Sequence, residues 1–259
     1  MSNKLSMCAI LESHVNVSKL TGVCSYVFPN WQWTSNNNVC QKGTRIILGW
    51  DPGIVNVMVL SSSEQVMHCQ VIFVHDNSHI FISYIYAANY YSDRRKLWNE
   101  LTLHHRYVRD FPWVLMGDFN SSLHLDDSTS GSSKITISMR KFRECIDSIQ
   151  VTDLNHMGLH FTWNQKPKAS SGILKKIDRV MVNDAFLTSH VNAYALFQPY
   201  RISDHSPAIL KIPAGNMVRR KHFRFSNYIV YKDQFQSCVK EGWDMHVEGH
   251  SMFQLVKKL

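Results

Sequence analysis

Several polar residues stand at the ends of apolar, strand-like segments and carry side chains suited to acid–base or metal chemistry. The sharpest case is residues 113–120, where an apolar run ends at Gly117 and then presents Asp118 and Asn120. Side chains two residues apart on an extended chain share one face, so this carboxylate and carboxamide could hold one phosphate or one attacking water. The alternative is a capped turn, because Asp and Asn are common where strands end.

A second polar segment, residues 203–207, has the sequence Ser-Asp-His-Ser-Pro and offers a general acid or base. His205 titrates near neutral pH, and Asp204 beside it is a hydrogen-bond acceptor. A catalytic histidine needs an orienting partner. We expect Asp178 to be that partner, because it interrupts an apolar segment in which an unpaired carboxylate would be costly to bury. The alternatives are a polar turn before the proline and an edge strand whose Asp178 faces water.

A third candidate is Glu12, which directly follows the apolar run 7–11. A carboxylate at the carboxyl end of a strand is well placed to bind a hard cation such as magnesium. The alternative is a solvated glutamate in a loop.

The elements around these residues indicate a mixed fold. Residues 7–86 have mainly strand character, and their β-rich runs are separated by short polar turns, which indicates antiparallel pairing. Helical spacing of apolar residues predicts helices over 92–108 and 139–149, and a short helix over 184–189. Later strands are expected at 113–116, 173–182, 194–197 and 208–212. This α/β (α+β) pattern favours two packed β-sheets flanked by helices.

Composition sets the broad class of protein. Hydrophobic residues make up 44% and charged residues 19% of the 259, which is ordinary for a globular protein and excludes a disordered chain. The chain has no apolar run of membrane-spanning length and begins with a poor signal peptide, so we expect a nuclear or cytoplasmic protein without a membrane partner. The six cysteines lack a C-x-x-C pair and are expected to be reduced thiols. The formal net charge of +8 favours an anionic partner, nucleic acid first, although many basic proteins bind none.

Taken together, the motifs resemble those of the endonuclease/exonuclease/phosphatase superfamily. They are more similar still to the endonuclease domain of plant LINE-type (non-LTR) retrotransposons. The motifs follow in the family's order: Leu-Glu-Ser at 11–13, Tyr-Ala-Ala-Asn at 86–89, Arg-Arg-Lys-Leu-Trp at 94–98, Gly-Asp-Phe-Asn at 117–120, Asp-Leu at 153–154, Phe-Thr-Trp at 161–163, Ile-Asp-Arg at 177–179 and Ser-Asp-His-Ser-Pro at 203–207.

The resemblance implies a DNase I-like, four-layer sandwich of two mixed or antiparallel sheets between helices. Its first strand, which carries an asparagine of the family's site, has no counterpart here, and Ala-Ala replaces the family's Gly-Ser at 87–88. Residues 1–213 would form this domain. The basic and helical tail at 214–259 resembles the connector that leads toward a reverse transcriptase. We therefore expect a truncated retroelement fragment.

The resemblance also implies roles for individual residues. Glu12 and Asp204 would bind or support Mg²⁺ or Mn²⁺. Asp118 would activate the attacking water. The phosphate would be contacted by Asn120, Tyr86 and His205. Asp178 would orient His205. The substrate would be bound by Asn89 and Trp163.

The implied function is a monomeric, metal-dependent phosphodiesterase that nicks DNA and is weakened by truncation. The alternative is a non-catalytic remnant that binds nucleic acid or has no function. A third reading, a phosphatase acting on a small phosphorylated lipid or sugar, fits the charge and the motifs less well. A DNA substrate further predicts a basic surface beside the site, because a duplex needs several phosphate contacts. The candidates are Lys42, Arg45, Lys166, Lys168, Lys175 and Lys176.

Overall fold

The computed structural model describes residues 4–41, 43–130, 134–165, 172–200, 203–213 and 232–248, with residues 230, 254 and 258. The chain divides into two compact units, residues 1–219 and 220–259. The second unit contains a helix at Phe235–Asp244, in a segment whose apolar pattern predicts one. Its assignment as a connector stays a prediction.

The first unit contains both strands and helices, and several strands follow one another without a helix between them. The strands are β1 (Met7–Val15), β2 (Gln32–Ser35), β3 (Thr44–Trp50), β4 (Val55–Ser62), β5 (Val66–Phe73), β6 (His79–Tyr86), β7 (Trp113–Asp118), β8 (Val151–Asp153), β9 (His156–Gly158), β10 (Trp163–Asn164), β11 (Leu174–Lys175), β12 (Asp178–Asn183), β13 (Tyr194–Phe197) and β14 (Ala208–Lys211). The helices are α1 (Val17–Val27), α2 (Tyr91–Val108), α3 (Ile137–Ile149) and α4 (Asp184–Ser189), and the second unit adds α5 (Phe235–Asp244).

A six-stranded sheet in the order β4-β5-β6-β7-β12-β8 forms the centre of the first unit. Its neighbouring strands are antiparallel except β6 and β7, which run parallel. One face of the sheet packs against α2 and α3 through a core that includes Leu97, Leu101, Phe142 and Ile146. These apolar positions recur three and four residues apart, so each helix buries one side.

A second layer of strands covers the other face of the central sheet. It consists of two three-stranded sheets, β1-β3-β2 and β14-β13-β9, which share one hydrophobic core with the central sheet. Helix α1 covers the far side of β1-β3-β2 through Leu20 and Cys24. The order helix, sheet, sheet, helix is the predicted four-layer α/β sandwich, and the prediction is confirmed.

The second layer is divided above the middle of the central sheet. Strand β1 packs against β6 and β14 packs against β12, while β7 lies between β6 and β12. Both β1 and β14 end their sheets, and no described strand joins them. Met116 of β7 stays partly exposed although its strand is central. Within the described ranges, the second layer therefore has a gap above β7.

Three local predictions need correction. Residues 17–27 form a helix where strand character was expected. The side chain of Asn16 caps this helix by accepting a hydrogen bond from the amide of Ser18, and the buried residues Leu20 and Cys24 are four positions apart. Strand β1 continues past residue 11 to Val15 through an irregular register. The predicted strand 173–182 is broken into β11 and β12. The six cysteines are free thiols, as predicted.

Candidate active site

The register of three neighbouring strands brings three polar side chains to one end of the central sheet. Tyr86, the last residue of β6, pairs with Asp118 at the end of β7, and Asp118 pairs with Asp178 at the start of β12. Asp118 is 4% and Asp178 6% exposed, so both carboxyl groups are buried among the strand ends. The reading in which Asp178 faces water from an edge strand is therefore wrong.

His205 completes this group from the loop before β14. Its Nδ1 lies 3.0 Å from one carboxylate oxygen of Asp178 and 3.1 Å from the other. The prediction that the side chains of Asp178 and His205 lie within hydrogen-bond distance is confirmed. The hydrogen bond fixes the orientation of the imidazole ring.

Thr162 links the segment that carries Asp178 to the segment that carries His205. No role was predicted for it from the sequence. Its hydroxyl oxygen accepts hydrogen bonds from the backbone amides of Ile177 and Asp178, at 3.1 and 2.9 Å. Its carbonyl accepts the amide of Ser206 at 2.7 Å. Thr162 is fully buried, and its only sequence signal was its place in the Phe-Thr-Trp motif.

Asn120 is fixed on the loop that follows β7. Its amide N–H donates to the Asp118 carboxylate at 2.8 Å, and its side-chain Nδ2 donates to the carbonyl of Ala87 at 2.8 Å. The backbone of Asn120 is left-handed, with φ of 48°. The capped turn considered as an alternative is thus present, and it also anchors Asn120 beside Asp118.

Arg94 organises the neighbouring loop and was likewise missed. It is 3% exposed and donates to the carbonyls of Ala88 and Asn89 at 2.7 and 2.9 Å, and to the hydroxyl of Ser138 at 2.5 Å. The loop therefore keeps its shape through a buried guanidinium. The Arg-Arg-Lys-Leu-Trp motif was the available signal.

The remaining predicted residues lie around this centre. Glu12 is half-exposed, and its carboxylate lies beside the Tyr86 hydroxyl. Asp204 accepts a hydrogen bond from the indole Nε1 of Trp163 at 3.0 Å, and Trp163 also forms a β-bridge with His205. Asn89 is exposed at the loop that Arg94 holds. The structure thus brings all nine predicted positions to one end of the first unit, while their roles stay predictions.

Burial and charge set the protonation of the centre. Burial, together with the charge of Asp178, raises the pKa of Asp118 to about 7. Burial alone would lower the pKa of His205, but its hydrogen bond to Asp178 and the nearby charges of Asp178, Asp118 and Asp204 raise it to about 9. Burial and the Glu12 carboxylate raise the pKa of Tyr86 to about 12, so its hydroxyl stays a donor at neutral pH.

A divalent metal fits the donor set at this place. One ligand atom each from Asp118, Asp178 and His205 lies within 4.8 Å of the others. Carboxylate oxygens and an imidazole nitrogen are common metal ligands. The predicted ligands Glu12 and Asp204 are not part of this trio, and their role stays a prediction.

The predicted basic surface is only partly described. Lys42, Lys166 and Lys168 lie outside the described residues. Lys176 is buried and pairs with Asp153 at 3.2 Å, so the expectation of a free phosphate-binding cation is wrong for this residue. Lys175 stands over the Trp163 ring, with Nζ 5.5 Å from its centroid.

Comparison with known proteins decides the family. The family model described as "Endonuclease/Exonuclease/phosphatase family" matches residues 24–205, more than half of the chain. The chain belongs to the endonuclease/exonuclease/phosphatase family. No curated protein matches its sequence.

Several solved structures share the fold. The endonuclease domain of TRAS1, a telomere-specific non-LTR retrotransposon, is 10% identical, with a TM-score of 0.60 over 80% of this chain and 98% of that domain. A functionally unknown conserved protein from Enterococcus faecalis is 17% identical, with a TM-score of 0.53 over 80% of this chain and 86% of its own. A mannosyl-6-phosphatase from Bacteroides thetaiotaomicron is 12% identical, with a TM-score of 0.50 over 80% and 85%.

At these identities the likeness concerns the fold alone. The predicted resemblance to the superfamily and to retrotransposon endonucleases is confirmed at that level. In the part of this family member that the structure describes, no helix is both long and apolar enough to cross a membrane.

Proposed function

We propose that this chain is a monomeric, metal-dependent phosphodiesterase that nicks DNA, as retrotransposon endonucleases do. The observation that carries the proposal is the convergence of Asp118, Asp178 and His205 at the ends of adjacent strands, with Tyr86 and Asn120 beside them. Phosphodiester cleavage needs an activated water and donors that stabilise charge on the phosphate. This cleft offers a buried carboxylate for the first task and a histidine, a tyrosine and an amide for the second.

His205 and Tyr86 are assigned to the phosphate. A pKa of about 9 leaves the His205 ring protonated at neutral pH, and Asp178 occupies its Nδ1. The other ring N–H is then available to the phosphate. Tyr86, with its pKa raised to about 12, donates through its hydroxyl. Both groups oppose negative charge that develops in the transition state.

Asp118 is assigned to the attacking water. Its pKa of about 7 lies near neutral pH, which suits a general base. Asn120, anchored on Ala87 and on the Asp118 carboxylate, would hold the phosphate or that water. Trp163 supports the centre through Asp204 and offers its ring to the substrate.

The metal is assigned to the carboxylates rather than to His205. The Nδ1 of His205 is hydrogen-bonded to Asp178 and its other ring nitrogen is assigned to the phosphate, whereas Glu12 offers oxygens at the exposed side of the site and Asp204 is the neighbour of His205 in sequence. Oxygen ligands suit Mg²⁺ or Mn²⁺. When bound, the ion would supply charge relief to the phosphate.

We further propose that the activity of this chain is low. The partly exposed Met116 and the unpaired edges of β1 and β14 leave the strand that bears Asp118 incompletely supported. A site loses precision when its supporting shell is incomplete. The loss of one preorganised contact costs about 10²–10³ in rate. DNA is favoured over a small phosphorylated substrate by the net charge of +8.

The test is conversion of supercoiled plasmid to open circles by the purified chain. We expect slow nicking in Mg²⁺ that stops in EDTA and is absent in His205→Ala. Fast nicking that is lost in His205→Ala would contradict the proposed weakening, although not the activity itself.

The second candidate function is a non-catalytic remnant that still binds nucleic acid, and the gap above β7 favours it. Equal traces of nicking by the wild-type chain and His205→Ala, with retained binding to the plasmid, would establish this candidate and exclude the enzyme.

A further inference from the structure

Arg45 lies in the cleft without a polar partner for its guanidinium. It is near the start of β3 and is half-buried. Its Cζ stands 4.6 Å from the centroid of the Tyr86 ring. Among the described residues, no carboxylate lies within ion-pair distance of its side chain and no hydrogen bond engages it, and its Nε is buried without an acceptor.

This isolation is unusual because carboxylates are close by. Glu12, Arg45 and Asp118 all lie near enough to Tyr86 for their charges to act on its hydroxyl. A partly buried guanidinium normally binds a carboxylate or a carbonyl. Stacking on Tyr86 instead fixes the cation by its flat face and leaves its N–H groups, which lie in the plane, able to bind an anion.

Among the described cations near the site, Lys175 also stands over an aromatic ring, that of Trp163, whereas three others are already engaged. Arg94 is bound to two carbonyls and a serine hydroxyl, Lys176 pairs with Asp153, and Arg179 pairs with Asp127 and Asp153. Arg45 therefore differs from them in having a fixed position with unused donors.

We propose that Arg45 binds the phosphate adjacent to the one that is cleaved, which makes the substrate a polynucleotide with consecutive phosphates. This inference rests on the proposed function, in which the Tyr86 hydroxyl meets the scissile phosphate. The Arg45 guanidinium stands over the face of that ring, whereas the hydroxyl lies at the ring's edge, so we assign the two groups to different phosphates. Consecutive phosphates on a nucleic-acid strand provide a second anion at such a place.

Binding and turnover test this assignment separately. Binding of a fluorescein-labelled 16-base-pair duplex is followed by anisotropy across a series of NaCl concentrations, with Ca²⁺ in place of Mg²⁺. Turnover is followed with bis(p-nitrophenyl) phosphate, a diester without a neighbouring phosphate. The variants are Arg45→Met and the control Arg109→Met, which removes the same charge from the exposed segment before β7, at the opposite end of that strand from Asp118.

We expect Arg45→Met to bind the duplex about tenfold more weakly, with the slope of log K against log salt reduced by about 0.9, one phosphate contact. Its turnover of bis(p-nitrophenyl) phosphate should fall by a smaller factor than its affinity for the duplex, since a contact with a second phosphate is absent from that substrate. Arg109→Met should keep both the affinity and the salt slope. A wild-type melting curve for Arg45→Met would show that the fold is intact.

Two results would overturn the assignment. If the affinity and slope of Arg45→Met match those of wild type or of Arg109→Met, Arg45 makes no phosphate contact. If Arg45→Met lowers the turnover of bis(p-nitrophenyl) phosphate by as large a factor as it lowers the affinity for the duplex, Arg45 acts on the scissile phosphate. A wild-type chain that turns over no diester would refute the proposed enzyme, while the binding series would still decide whether Arg45 holds a phosphate.

Discussion

The pair formed by His205 and Asp178 determines the charge of the cleft at the scale of single residues. Burial disfavours the imidazolium, yet the hydrogen bond and the nearby carboxylates raise the pKa of His205 to about 9. A histidine whose folded pKa exceeds its unfolded value stabilises the fold fully below that unfolded value of about 6.5. This stabilisation is lost as pH rises through about 9.

We predict that Asp178→Asn returns the pKa of His205 from about 9 toward its ordinary value, because the chief favourable partner loses its charge. The measurement is an NMR titration of the histidine ring protons in the metal-free protein. His190, whose pKa burial lowers in α4, serves as the internal reference and should keep its titration. An unchanged His205 titration in Asp178→Asn would show that other groups hold the proton.

At the scale of elements, the site depends on a close approach between β6 and β7. Gly117 has φ of 133°, and a Cβ at this position would lie 2.1 Å from the carbonyl oxygen of Ile85. Only glycine lets the strands approach so closely one residue before Asp118. Tyr86 and Asp118 can therefore be neighbours because Gly117, which precedes Asp118, has no side chain to collide with Ile85.

We predict that Gly117→Ala destabilises the protein by about 3 kcal/mol or more, since backbone atoms must move apart at a strained position. The matched control is Gly22→Ala, in which the new Cβ meets nothing within 4 Å in the middle of α1. That change should raise the free energy of unfolding by about 0.5–1 kcal/mol. Urea unfolding measures both, and equal stabilities of the two variants would contradict this account.

At the scale of the whole molecule, a pair of buried histidines links stability to acid pH. His68 on β5 and His104 on α2 stack with centroids 3.8 Å apart, and the buried Nε2 atom of each has no hydrogen-bond partner in the described segments of the chain. Burial lowers the pKa of His104 to about 4, and burial plus the charge of His104 lowers that of His68 well below its ordinary value. Both rings are therefore neutral in the folded protein, while the unfolded chain takes up protons below about pH 6.5.

We predict that each of these histidines makes the free energy of unfolding fall by about 1.4 kcal/mol per unit as pH drops from about 6.5 toward 4, whereas Asp118, whose folded pKa is raised to about 7, changes it in the opposite direction. His104→Phe keeps a ring in the stack and removes one titrating group, so over this range its stability should depend less on pH than that of the wild type, by about 1.4 kcal/mol per unit. Urea unfolding at a series of pH values measures the slope. A variant as sensitive to acid as the wild type would place the effect on other groups.

Sequence alone determined the family and most of the elements. Motif order identified the fold class, and apolar periodicity located α2, α3 and the strands of the central sheet other than β8. It failed at α1, because this helix buries only Leu20 and Cys24 and contains three valines, a residue type that favours strands. It also selected Asp118, Asp178 and His205, because charged residues at the ends of apolar segments are costly unless they have a partner.

Only the tertiary structure decided how those residues meet. Strand register, not sequence spacing, brought Tyr86, Asp118 and Asp178 side by side, and register is fixed by long-range pairing. Long-range contacts also explain Thr162, whose hydroxyl accepts hydrogen bonds from a segment that is distant in sequence. Arg45 was one of six basic candidates, and only its stacking on Tyr86 distinguished it from Lys176, which pairs with Asp153. A residue's type limits the chemistry it can perform, but its partners are supplied by distant parts of the chain.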